Sequence, residues 1–185
     1  MWKNNPKLLL LILCNNLSIL STWLLGPIYA SYVETLGSSA FSAGSSWGLM
    51  AVVSAAVMLS TGSFIDRKGL ERDAMIAGYT ALGLGSLGFI LATQIGHVFV
   101  AQGVNGVGLG LVKPSWKELY ARYEDAGQEV QEWGWADGSA QLLTGVASFF
   151  GGLIVEAFSF TALFVTMGVL QVCAALAGFG LQRDA

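Results

Sequence analysis

Apolar residues along this chain gather into runs of around twenty, separated by short polar breaks. Six such runs cover about 8–32, 43–65, 74–95, 98–119, 135–156 and 160–181. Each is long enough to cross a hydrocarbon core of about 30 Å as an α-helix. The connections between most of them are too short to hold a soluble domain. The pattern therefore predicts an all-α, polytopic membrane protein, with residues 1–185 forming a single six-helix domain.

The polar positions inside these runs are not scattered. On the first span Asn15, Ser18 and Thr22 follow i, i+3, i+7, one helical face. On the fourth, Gln102 and Asn105 stand about one turn apart. On the fifth, Asp137, Gln141, Thr144 and Ser148 follow i, i+4, i+7, i+11. Showing amides to lipid is costly, so three striped helices suit the walls of a water-filled cavity. Under that reading Asn15, Ser18, Thr22, Gln102, Asn105 and Gln141 line the cavity and bind a small solute. The competing reading is interhelical hydrogen bonding that holds the bundle together, typically about 1–2 kcal/mol per pair at most. Ser and Thr have a further option, bonding the carbonyls of their own helix.

Composition sharpens the membrane assignment. Of 185 residues, 54% are hydrophobic and 11% charged, against about 25% charged for a soluble domain. The nine basic residues all fall on or near one side of the six spans. Lys3 and Lys7 precede the first span, and Arg67, Lys68 and Arg72 follow the second. Lys113, Lys117 and Arg122 end the fourth, and Arg183 follows the sixth. Basic residues favour cytoplasmic loops, so both termini are expected in the cytoplasm, in a plasma (inner) membrane. Lys3 and Lys7 before Leu8–Leu13 resemble the start of a signal peptide. The apolar run continues to Tyr29, however, and Leu13 before Cys14 does not suit a lipoprotein cleavage box, so an uncleaved first helix is expected.

Ionisable groups are sparse in the spans. Asp137 is the one plausible coupling acid, since proton relays use membrane-embedded Asp, Glu or His. It also fits a plain role as a first-turn acid favoured by the helix dipole. Lys113 either snorkels to the interface or lends a positive charge to the cavity. His97 falls in a short outer loop and is read as solvated. Trp116, Tyr120, Tyr123, Trp133 and Trp135 form an interfacial aromatic belt. The segment from Arg122 to Glu132 reads as the longest cytoplasmic loop.

Several function classes drop out. One His and two intraspan cysteines, Cys14 and Cys173, build no metal or nucleophilic centre, so no enzyme, metal or cofactor is indicated. No phosphate-binding G-x-x-x-x-G-K-[ST] loop occurs. No basic run suggests nucleic acid.

The six runs divide into two triplets. Spans one and four both carry amides, Asn15 and Asn16 against Gln102 and Asn105, and both carry a late proline, Pro27 and Pro114. Interruptions at matching positions of two repeats point to a transport site. Gly78, Gly83, Gly85 and Gly88 dot the third span, and Gly103, Gly106, Gly108 and Gly110 the fourth, as close helix packing in lipid requires.

Between spans two and three lies Gly62-Ser63-Phe64-Ile65-Asp66-Arg67-Lys68-Gly69-Leu70-Glu71-Arg72-Asp73. This stretch resembles the signature loop G-x-x-x-D-R-x-G-R-[RK] of the major facilitator superfamily, matching at Gly62, Asp66, Arg67 and Gly69. It departs at Leu70 and Glu71, where the family has basic residues, and Arg72 is the nearest residue for that role. Asn105 through Gly110 is similar to the fourth-helix pattern R-x-x-Q-G-x-G-x-G, with Gln102 in place of the Arg that the family ties to proton coupling. Leu143 through Gly152 is a fainter echo of the antiporter pattern G-x-x-x-G-P-x-x-G-G, with Leu143 at the first Gly and Ala147-Ser148 at Gly-Pro.

The resemblance covers nearly the whole chain but one six-helix half of a typical twelve-helix member. It implies two inverted three-helix repeats and secondary transport of a small solute by alternating access. It further implies a gating loop at Gly62, Asp66, Arg67, Gly69 and Arg72. One half gives one wall of a path, so a homodimer or a second half-transporter is the expected partner. The alternative is a non-transporting membrane scaffold or regulatory subunit.

Overall fold

A computed structural model describes residues 5–181. The basic residues Lys3 and Arg183 lie outside the described residues. The elements are α1 (Pro6–Leu25), a 3-10 turn (Gly26–Ile28), α2 (Tyr29–Thr35), α3 (Ala40–Lys68) and α4 (Glu71–Gly88). A second 3-10 turn (Phe89–Leu91) leads to α5 (Ile95–Tyr123), α6 (Glu129–Ala157) and α7 (Phe160–Gly178). By length and composition they make six membrane-spanning helices, with α1 and α2 sharing the first span.

Local chemistry sets the ends. Asn5 caps α1, its Oδ1 accepting the Leu8 N–H at 3.2 Å, with Pro6 in the first turn where a missing N–H costs nothing. Ser39 and Ser159 cap α3 and α7 in the same way. Gly69 ends α3 at φ 61°, a left-handed conformation that suits glycine. Its N–H bonds the Asp66 carbonyl and that of Leu70 bonds Ile65, so the charged turn closes tightly.

Two features differ from the sequence expectation. The fifth helix begins at Glu129 and not near 135, which shrinks the supposed long loop to residues 124–128. Glu129 and Glu132 occupy the first turn, where the helix dipole favours acids. Each also accepts a loop N–H, Glu129 from Gly127 at 2.9 Å and Glu132 from Asp125 at 3.0 Å. The two prolines also behave differently. Pro27 follows Gly26 in a 3-10 break of the first span, whereas Pro114 is carried within a continuous α5.

The helices interleave. α1 packs on α6 and α7, α5 packs on α3 and α4, and α4 packs on α7. Exchanging spans one, two and three with four, five and six leaves this set of pairs unchanged. Most close pairs join one triplet to the other, so neither triplet has a core of its own.

Glycine makes the closest approaches possible. A Cβ on Gly78 would lie 2.8 Å from the Gly108 carbonyl, and one on Gly108 would lie 2.8 Å from the Gly78 carbonyl. A Cβ on Gly151 of α6 would fall onto the Leu24 carbonyl of α1. The least buried spans are α3 and α6, each leaning chiefly on one long neighbour.

Buried apolar residues form two clusters. One, at the end holding Arg72 and Arg122 (the basic end), centres on Leu8, Leu11, Met75, Tyr79, Trp116 and Tyr120. The other, at the far end, centres on Tyr29, Tyr32, Phe89, Leu163, Phe164 and Met167. The polar residues of the spans lie mainly between them.

Candidate functional site

A narrow cleft with a cavity volume of about 30 Å³ lies between the two clusters. Its polar lining is Thr22 from α1, Ser86 from α4, Gln102 and Asn105 from α5, and Gln171 from α7. Leu25, Trp47, Met50, Leu82, Phe89 and Met167 are among the apolar residues that complete it. Among the described residues, no Asp, Glu, Lys, Arg or His lines it.

The polar groups are held by their own helices and by one another. Asn105 Nδ2 donates to Gln102 Oε1 at 3.4 Å, a contact that their spacing of about one turn allows. Thr22 and Ser86 donate to carbonyls four residues back, of Ser18 at 2.9 Å and Leu82 at 2.8 Å. Gln171 Nε2 reaches across to the same Ser18 carbonyl at 3.4 Å. The Asn105 carbonyl rests against Gly85, where a Cβ would collide with it.

The sequence-derived residues separate into groups. Thr22, Gln102 and Asn105 meet in the cleft, and Ser18 is buried beside it and contributes its backbone carbonyl. Asn15 is half-buried and does not line the cleft. Gln141 and Asp137 are exposed on α6, away from it. Asp137 stands about two turns into α6 because that helix starts early. Thr144 and Ser148 join along their helix, Ser148 donating to the Thr144 carbonyl at 2.7 Å. Lys113 is exposed, as is His97, whose Nδ1 accepts the Thr93 N–H at 3.3 Å.

Gln171, Ser86 and Trp47 were not singled out from the sequence. For Gln171 a signal was present: one amide midway along the apolar sixth run needs an explanation in lipid. Asn16 is a different case. Its Nδ2 donates to Ser139 Oγ at 3.0 Å and joins α1 to α6.

At the basic end, Asp66 and Arg67 of the charged turn are exposed. Arg72 bonds Asp73 at 3.3 Å and donates to the Phe179 carbonyl at 2.9 Å. Glu71, where the signature loop would have a basic residue, is buried and pairs with Arg122 of α5 at 3.0 Å. Glu118 completes that cluster at 3.3 Å from Arg122. Trp116 Nε1 donates to the Leu11 carbonyl at 2.9 Å and ties α5 to α1. The far end is closed by aromatic rings, with Tyr32 against Phe89, Phe160 and Phe164 at centroid distances of 5.7, 5.3 and 4.8 Å.

Six spanning helices with interleaved triplets define a polytopic α-helical membrane protein. Residues 11–184 match the Major Facilitator Superfamily, and the chain belongs to that family. Its members are secondary transporters, not enzymes, and work on small solutes within a lipid bilayer. No curated protein matches the sequence.

Proposed function

We propose that this chain moves a small solute by alternating access, as one side of a two-part transporter. The carrying observation is the cleft, where amide and hydroxyl side chains from spans one, three, four and six meet between two apolar seals. Both termini are assigned to the cytoplasm, so the basic end faces inward.

The second part is a second copy of the chain or a separate half-transporter. Gln141 and Asp137 support it, being exposed on one of the two least buried spans. Gln141 lies about 18 Å along α6, at the rise of 1.5 Å per residue. An amide at that depth calls for water or a partner, not lipid. Asp137, on the same helix, is the acid this reading assigns to ion coupling. The gating role falls to the loop of Gly62, Asp66, Arg67, Gly69 and Arg72.

A scaffold or regulatory role is the second reading. It is favoured by the Asn16–Ser139 and Gln171–Ser18 bonds, which join helices without any solute. Uptake of a labelled metabolite panel into proteoliposomes separates the two. Asn105→Leu should abolish uptake while the purified protein keeps its fold in detergent. Uptake unchanged alongside a lowered unfolding midpoint would make Asn105 packing glue.

A further inference from the structure

Hydrogen-bond accounting in the cleft points to the kind of solute that fits it. Four groups of the lining already donate within the bundle. Asn105 Nδ2 goes to Gln102, Gln171 Nε2 to the Ser18 carbonyl, and the Thr22 and Ser86 hydroxyls to helix carbonyls. Two of the lining's amide acceptors accept nothing. Asn105 Oδ1 and Gln171 Oε1 are buried and have no hydrogen-bond partner. Their residues are 8% and 1% exposed, on α5 and α7, and both line the cleft. A buried acceptor without a partner has lost its water and received nothing in return.

Two unused carbonyl oxygens set the complement. A ligand that repairs them brings N–H or O–H donors. An anion would place further lone pairs against them, and no Lys or Arg lines the cleft to offset its charge. A cation would enter a site with no carboxylate, since none lines the cleft either. Trp47, Met167 and Phe89 supply apolar contact for the carbon skeleton of a small molecule. Resting on the transport reading above, we infer that the solute is uncharged and donor-bearing, of the polyol, sugar or neutral amide class, and that Asn105 and Gln171 accept its hydrogen bonds. Both oxygens are covered in this structure, so the bonds form in a state where the cleft has loosened.

The test uses the full chain, purified in detergent and reconstituted in proteoliposomes. Saturable changes in tryptophan fluorescence, to which cleft-lining Trp47 contributes, are titrated with erythritol, glucose and acetamide. Acetate, succinate, methylammonium and putrescine form the charged arms. Each ligand is repeated on Asn105→Leu and Gln171→Leu, which keep side-chain bulk and remove the acceptor.

The expected result is saturable binding of at least one neutral probe, weakened about tenfold or more in each variant. Gln171→Leu in addition should unfold no earlier than wild type without ligand, because the unpaired acceptor it deletes offsets the long bond to the Ser18 carbonyl, which keeps Thr22 as its donor. Binding of a charged probe that is lost in either variant overturns the class inference and leaves the transport site standing. Neutral binding that both variants retain overturns the role of these two residues. If no probe binds, the inference falls, and uptake of the metabolite panel decides the transport reading separately.

Discussion

Gly108→Ala should destabilise the bundle by about 2–3 kcal/mol, near the top of the range for overpacking. The new Cβ would sit 2.7 Å from Leu82 Cγ, 2.8 Å from the Gly78 carbonyl and 3.0 Å from the Leu82 backbone nitrogen. Ordinary contact is 3.4–4 Å. Two of the three neighbours are backbone and cannot rotate aside, so α4 and α5 must move apart by several tenths of an ångström or more. A gap of about 0.5–1 Å forfeits a quarter to a half of each dispersion contact along the pair. In lipid that packing is most of what holds two helices together.

Gly103→Ala is the control in the same helix, because nothing lies within 4 Å of its added Cβ. It should be neutral or gain up to about 1 kcal/mol from helix propensity. Both variants would be unfolded reversibly with sodium dodecyl sulfate in mixed micelles and followed by tryptophan fluorescence. Equal stability of Gly108→Ala and wild type would refute the close backbone contact. An equal loss in Gly103→Ala would refute the idea that contact, not glycine itself, sets the cost.

Arg122→Gln leaves the buried Glu71 carboxylate without its 3.0 Å partner. A loss of about 1–2 kcal/mol is expected in the same unfolding assay, below the value for a fully buried pair because Arg122 is part-exposed. Adding Glu71→Gln should recover most of it, and a further loss in the double variant would refute the pairing. With Cys14 and Cys173 replaced, single cysteines at Ser38, Gly96 and Ser159 should label from outside and one at Gly127 only from inside. Outside labelling of the Gly127 position would reverse the proposed orientation. Asp66→Cys with Trp135→Cys should give a dimer-sized cross-link if the charged turn of one copy meets the start of α6 in another. A demonstrated dimer that never cross-links, with or without solute, would confine Asp66 to its own loop.

Span number and approximate bounds were legible because lipid leaves a long, unbroken signal in the sequence. The charged turn was legible too, since Gly69 has a conformation that follows from its residue type. The start of α6 was missed because Glu129 and Glu132 are polar. Hydropathy stops at the interface, whereas the helix continues until its N-terminal donors are met.

Part of the candidate cleft's polar lining was legible from spacing. Gln102 and Asn105 meet because one helix fixes their separation. Gln141 and Asp137 share a stripe equally well but belong to a face the cleft does not use, and a stripe carries no record of which neighbour it meets. Arg72 was the natural substitute for a missing basic residue by position. Contact across the bundle instead puts Glu71 opposite Arg122, a choice that depends on how α4 and α5 are rotated.

The glycine contacts between α4 and α5 make the two helices one body. Where Gly78 and Gly108 bring two backbones together, the helices cannot come closer, and sliding apart would strip both of their packing. A second close approach, where a Cβ on Gly85 would lie 3.1 Å from the Ala101 carbonyl, holds the pair about two turns further along. Two fixed points leave no hinge between these helices. Ser86, Gln102 and Asn105 therefore keep their mutual positions in any rearrangement, as one preset wall of the cleft.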